Sequence, residues 1–187
     1  MRLLLAKDGV DADSKDGDGR TPVSYAAENG QEAVVQLLLA TDGVDPDSKD
    51  RDGRTPLLWT VDPEYWGTSG YKYVEVVKLL LATQGVNPNS RYEDGQTPLS
   101  RAAQSRREAM FKLLLANSVD LDSKDNHGIT PLSWAARTGH DAAVKLLLAK
   151  GGVEPDSRDN DGRTPLSWAI DNWLPPCEAE RGREMVK

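Results

Sequence analysis

Carboxylates dominate the residues that could do chemistry. The 187-residue chain carries 30 Asp and Glu against 23 Lys and Arg, a formal charge of −7. Many of the acids fall in short loops such as Asp50-Arg51-Asp52-Gly53 and Asp159-Asn160-Asp161-Gly162. These loops resemble the centre of a calcium-binding EF-hand loop, which has Gly at its sixth position and a bidentate Glu at its twelfth. With Gly53 placed sixth, Ser48 falls first and Trp59 twelfth, and the equivalent twelfth residues of three other copies are Tyr25, Trp134 and Trp168. An aromatic ring cannot supply the closing carboxylate, so the spacing argues against calcium.

The remaining candidates for chemistry fail on spacing as well. His127 and His140 are the only histidines, and neither has a second nitrogen or sulfur ligand at a zinc spacing. They are expected to serve as a loop tip and as a structural polar contact at a helix start. Cys177 is the only cysteine, which excludes an internal disulfide and a four-thiolate zinc site and suits a reducing compartment. Gly67-Thr68-Ser69-Gly70 lacks the geometry of a nucleophile elbow, and no histidine stands near Ser69 to activate it. For nucleotides, Gly17-Asp18-Gly19 runs into Arg20-Thr21-Pro22 where a dinucleotide fingerprint needs another glycine, and no Gly-Lys-Ser/Thr occurs. The expectation is no enzyme, no cofactor and no metal. A pI near 4.9 argues against nucleic-acid phosphate as the ligand. No apolar run reaches the length of a membrane span, and no Asn-x-Ser/Thr acceptor is present, so a cytoplasmic or nuclear setting is expected with no membrane partner.

The elements that would position these residues recur. In Thr130-Pro131-Leu132-Ser133-Trp134-Ala135-Ala136, Thr130 can cap a helix and Pro131 occupies a first-turn position that has no hydrogen bond to lose. Leu132, Ala135 and Ala136 then fall on one stripe, Gly139 stops the helix, and Ala143, Val144, Leu146, Leu147 and Leu148 make a second stripe. The unit is a helical hairpin. Thr-Pro pairs begin at Thr21, Thr55, Thr97, Thr130 and Thr164, and leucine triplets begin at Leu3, Leu37, Leu79, Leu113 and Leu146. The Thr-Pro separations are 34, 42, 33 and 34 by difference of residue numbers, a period that signals a solenoid. Between one triplet and the next Thr-Pro lies a turn segment with Asp-Gly at Asp18-Gly19, Asp52-Gly53, Asp94-Gly95 and Asp161-Gly162, and His127-Gly128 as the variant. These pairs suit positive φ at the tip of a β-like hairpin.

With Gly-x-Thr-Pro-Leu, Ala-Ala-x-x-Gly, the Leu-Leu-Leu triplet, Gly-Val-Asp and Asp-x-x-Gly in fixed order, the chain resembles the ankyrin repeat family over residues 1–172. The Ser-Trp-Ala-Ala and Gly-Val-Asp-x-Asp-Ser variants are similar to the long ankyrin arrays common in filamentous fungi. The resemblance implies an all-α solenoid of stacked helix-turn-helix units with short β-hairpin-like loops. Its expected divisions are a partial unit 1–18, units 19–52, 53–94, 95–127 and 128–161, and a partial unit 162–172, followed by a disordered tail 173–187. An aromatic insertion of about eight residues, at about 62–71, lengthens one unit.

Departures from the family pattern carry expectations of their own. Ser24, Leu58, Ser100, Ser133 and Ser167 stand where the family has histidine, so the hydrogen bond made there is rerouted. Arg101 replaces the aromatic residue of the other copies and is expected to be half-exposed. Leu115-Ala116-Asn117-Ser118-Val119 lacks the loop glycine, which makes Asn117 the expected left-handed residue.

For function, the resemblance implies a non-catalytic module that binds another protein through the concave face of the stack. Outward positions before each Thr are Arg20, Arg54, Gln96, Ile129 and Arg163; the hairpin tips offer Arg51, Asn126 and Asn160, and the inner-helix end offers Arg137. Trp66 and Tyr71 of the insertion form a rival anchor. Incomplete units at both ends favour self-association. A second reading keeps the fold and makes the chain part of a longer multidomain protein, serving as its structural or sensor array.

Overall fold

The computed structural model describes Lys7, residues 9–61 and residues 71–173, giving only the backbone of Tyr71, Lys72, Asn172 and Trp173. Among the described residues all regular structure is helical. The helices are α1 (Pro22–Glu28), α2 (Glu32–Leu39), α3 (Pro56–Val61), α4 (Tyr71–Ala82), α5 (Pro98–Gln104), α6 (Glu108–Leu115), α7 (Pro131–Thr138), α8 (Asp141–Lys150) and α9 (Pro165–Trp173). Thr21, Thr97 and Thr130 have extended backbones, accept the backbone N–H three residues on through their hydroxyls, and place proline in the first turn. Thr55 and Thr164 likewise accept the N–H groups of Leu58 and Ser167, at 3.3 and 3.4 Å. Each such cap satisfies an N–H that the helix itself leaves unpaired, worth about 1 kcal/mol.

The serines that replace histidine reroute the local bonding into hydroxyl pairs. Thr21–Ser24, Thr97–Ser100 and Thr130–Ser133 lie 3.1, 3.2 and 3.1 Å apart. Thr55 and Thr97 reach onward to Ser90 and Ser123, at 3.3 and 3.2 Å, tying a helix start to the loop that closes its own repeat.

Between the helices of a hairpin the chain turns left-handed at Gly30 (φ 62°) and Gly139 (φ 65°). The N–H groups of Gln31, Arg107 and His140 return to the carbonyls of Ala26, Ala102 and Ala135, at 2.9, 3.1 and 2.8 Å, closing each inner helix in the same way. In the middle hairpin Arg106 occupies the left-handed position with φ 55°, and among the described residues it is the only non-glycine at positive φ. The expectation that Asn117 is left-handed is therefore corrected. The shorter loop there omits the glycine position altogether, and Asn117 aligns with Thr41 and Thr83. All three side chains donate to the carbonyl four residues back, those of Leu37, Leu79 and Leu113, at 2.9, 2.8 and 2.8 Å.

The chain divides into two compact units, Met1–Glu93 and Asp94–Lys187. In the first, α1 packs on α3 and α2 on α4; in the second, α5, α7 and α9 pack in succession and α6 packs on α8. The middle leucine of each described triplet is sealed: Leu38, Leu80, Leu114 and Leu147 are at most 1% exposed. Val23, Ala26, Leu57, Val76 and Val77 complete the first core; Leu99, Ala102, Met110, Phe111, Ala135 and Ala143 complete the second. Small Ala residues on the inner helices allow close stacking, while the outer helices carry the bulk. Most of the aromatic insertion, including Trp66, lies outside the described residues, as does the tail beyond Trp173; Tyr71 opens α4.

Candidate functional site

One aspartate organises each of four hairpin tips. The Asp50 Oδ1 accepts the N–H groups of Asp52 and Arg54, at 3.0 and 2.8 Å. Asp125 holds His127 and Ile129, both at 2.9 Å, Asp159 holds Asp161 and Arg163 at 2.9 and 2.8 Å, and Asp16 holds Asp18 and Arg20 at 2.9 and 2.8 Å. The second oxygen takes an aromatic donor nine residues on: Trp59, Trp134 and Trp168 donate through Nε1 to Asp50, Asp125 and Asp159, at 3.0, 2.9 and 3.0 Å. Tyr25 donates to Asp16 at 2.6 Å. That hydroxyl, together with the backbone donors, holds the Asp16 carboxyl below its ordinary value, and the same bond raises the Tyr25 phenol. The repeated acids are thus turn-formers whose oxygens are already engaged.

The third copy changes both members of this pair. Tyr92 stands in the aspartate position and Arg101 in the aromatic one; Tyr92 donates to the Leu58 carbonyl and Arg101 pairs with Asp94 at 3.5 Å. Arg101 is half-buried, as its snorkelling reading required.

Successive hairpin tips are linked through the backbone. Arg51 donates to the Asp18 carbonyl, Asn126 to that of Asp94 and Asn160 to that of His127, at 2.9, 3.0 and 2.9 Å. The approach is close enough to demand glycine for two reasons at once. A Cβ on Gly95 (φ 80°) would sit 2.5 Å from the Asn126 Oδ1 and 2.8 Å from its N, and one on Gly128 (φ 77°) would sit 2.6 and 2.9 Å from the same atoms of Asn160.

Fixed indoles then stack guanidinium groups. In the first unit Arg20 lies over both Tyr25 and Trp59, 3.9 Å from each ring centre, and Arg54 covers Trp59 at 4.6 Å. In the second, Arg137 lies over Trp134 and Trp168, at 4.9 and 4.6 Å, and Arg163 covers Trp168 at 3.8 Å. Each contact is worth about 0.5–1 kcal/mol where exposed. Three of these cations also have acids: Arg20 pairs with Glu28, Arg54 with Asp52 at 3.5 Å, and Arg163 with Asp159 and Asp161 at 3.1 and 2.5 Å.

The structure therefore gathers Arg20 and Arg54 on one aromatic stack and Arg137 and Arg163 on another. Arg51, Asn126 and Asn160 are exposed at the tips, with Asn160 Nδ2 donating to the Asn126 carbonyl at 3.0 Å. Two expected outward residues do not face out. Gln96 is 4% and Ile129 3% exposed; both sit in the hairpin arm whose N–H groups are drawn toward Asp94 and Asp125, at 2.9 Å each. They belong to the framework. Of the rival anchor, Trp66 and the Tyr71 side chain fall outside the described residues.

Sequence reasoning missed the hub aspartates and Arg106. The former had a signal in the constant nine-residue offset between Asp and the aromatic residue; the latter had one in its alignment with Gly30 and Gly139. His140 makes a structural polar contact at the start of α8. It is 5% exposed, its Nδ1 lies 3.3 Å from the Ala103 carbonyl and its ring meets Phe111 edge-on. Burial pushes its pKa down.

Among protein families, the model for ankyrin repeats matches the chain in three copies, over residues 1–64, 67–159 and 119–177. No curated protein matches it.

Proposed function

The chain belongs to the ankyrin repeat family, and from that premise we propose that it is a protein-binding module with no chemistry of its own, engaging its partner through the hairpin tips and inner helices. Ankyrin repeats are generally protein-interaction modules, and the proposed site is the concave face that the family resemblance implies. The observation that carries the reading is the pair of aromatic–arginine stacks. Aspartate-anchored indoles hold the guanidinium groups in place before any partner arrives, which lowers the ordering cost of binding. The setting is the cytoplasm or nucleus; no helix among the described residues is long and apolar enough to cross a membrane.

The test is a reconstituted complex. The full chain captures its partner from native lysate, the partner is identified and purified, and two charge-altered variants are compared by calorimetry. Arg51→Glu/Asn160→Glu alters two exposed hairpin tips, whereas Lys112→Glu/Lys145→Glu alters two exposed outer-helix positions. The tip variant is expected to bind at least about tenfold more weakly, about 1.4 kcal/mol, with the outer-helix variant unchanged. The reverse pattern would move the site to the outer helices and overturn the reading.

Self-association is a further part of the reading, supported by Leu148 and Leu166, which are 52% and 66% exposed. Both border an apolar cleft of about 610 Å³ formed by α7, α8 and α9.

A further inference from the structure

Arg137 differs from the other stacked cations. It is exposed, held against two indoles, and among the described residues it makes neither an ion pair nor a hydrogen bond. Its fork of donors is therefore oriented and unoccupied. Arg137 shares a cleft of about 500 Å³ with Gln104, Arg106, Thr138, Trp168 and Asp171. Arg106, also exposed, is the second cation there, and it occupies its place at a cost. A side chain at φ 55° is disfavoured, and the equivalent turns at Gly30 and Gly139 use glycine. Residues held in this region cluster at binding and active sites.

We infer that this cleft binds an acidic side chain of an extended peptide segment, with Arg106 and Arg137 forking the carboxylate. The inference rests on the protein-binding reading above and assigns chemistry to one part of that face. Charge selects the ligand class. Two arginines against Asp171 leave the cleft one positive charge, which a single carboxylate neutralises, whereas a phosphomonoester dianion would leave one uncompensated negative charge. The volume exceeds what one carboxylate needs and accommodates flanking residues of a peptide. A nucleic acid strand requires a track of cations along its phosphates, whereas this chain carries a net charge of −7. Guanidinium groups bind carboxylates in bidentate geometry that lysine does not reproduce.

A phage-displayed library of random twelve-residue peptides, panned on the immobilised full chain, tests this, with enriched peptides measured by fluorescence anisotropy. The expected result is that enriched peptides share an Asp or Glu, and that replacing it by Ala weakens binding at least tenfold. Arg137→Gln and Arg106→Gly should each weaken it at least tenfold as well. Arg106→Gly carries a second readout: it relieves the backbone strain, so the melting temperature should rise while binding falls, a combination that a purely structural role for Arg106 would not give. Enriched peptides that bind without an acidic residue, or that bind both variants undiminished, would overturn the inference while leaving the protein-binding reading in place. Failure to enrich any peptide would overturn it too, and the broader reading would then stand or fall on the reconstituted complex. Tighter binding of a labelled oligothymidylate than of any peptide, lost in the same two variants, would replace the peptide assignment by a nucleic-acid one.

Discussion

At the scale of single residues, the hub aspartates carry more of the structure than their loop positions suggest. Asp125 is 7% exposed, and its carboxylate receives two backbone N–H groups and an indole N–H. Removing it strands buried donors, each costing about 1–3 kcal/mol. Asp125→Ala is therefore expected to destabilise the fold by about 3 kcal/mol in urea denaturation, and Asp16→Ala by clearly less, since Asp16 and Tyr25 are exposed. The Tyr25 hydroxyl also gives Asp16 a proton signature. Because the folded carboxyl titrates below its ordinary value, the bond contributes stability above the usual carboxylate range and loses it as the pH falls through the lowered folded value. Tyr25→Phe should raise the Asp16 midpoint in an NMR titration; an unmoved midpoint would reject the bond. Both aspartates and rings were visible in the sequence. Their partnership was not, because a nine-residue offset across a turn is neither a helix nor a strand period, and only the closed hairpin shows which oxygen meets which ring.

At the scale of elements, one buried histidine couples two hairpins. His140 precedes α8, contacts the Ala103 carbonyl at the end of α5 and packs on Phe111 of α6; the charged groups acting on it are Arg106, Glu108 and Asp141. Burial, the leading cause, and the Arg106 charge disfavour the imidazolium and lower its pKa, outweighing the carbonyl and the two acids. With the folded value below the unfolded one, stability is full above the unfolded pKa of about 6.5 and declines as the pH falls from there through the folded value. His140→Gln should flatten the stability profile between neutral pH and about pH 5, wherever its own effect on stability lies; an unchanged slope would exclude His140 as its source. The outer helices give a sharper contrast. Leu147→Ala empties a fully buried site and should cost about 2–5 kcal/mol, whereas Lys145→Ala, on the exposed face of the same helix, should leave the urea midpoint almost unmoved.

At the scale of the molecule, stacked repeats bury their apolar stripes against one another, and a terminal stripe has no following neighbour among the described residues. Leu148→Glu/Leu166→Glu is expected to abolish concentration-dependent growth in light scattering, since it charges two exposed leucines beside the apolar cleft; growth that persists would place any association elsewhere. The sequence by itself determined the helices, their starts and stops and their recurrence. Thr caps, Pro at the first turn, Gly at the stop and leucines at helical spacing act within a few residues, and repetition makes each signal legible several times. What only the tertiary structure decided concerns residues a full repeat apart. Gln96 and Ile129 look like Arg54 and Arg163 in register, yet they are buried, because exposure is set by how closely neighbouring arms pack. Arg106 and Arg137 belong to different hairpins, and no local period joins them; stacking brings both to one cleft beside Trp168. Short-range chemistry writes the helices into the chain, while the choice of which surface cations stay unpaired follows from distances that exist only after the repeats have stacked.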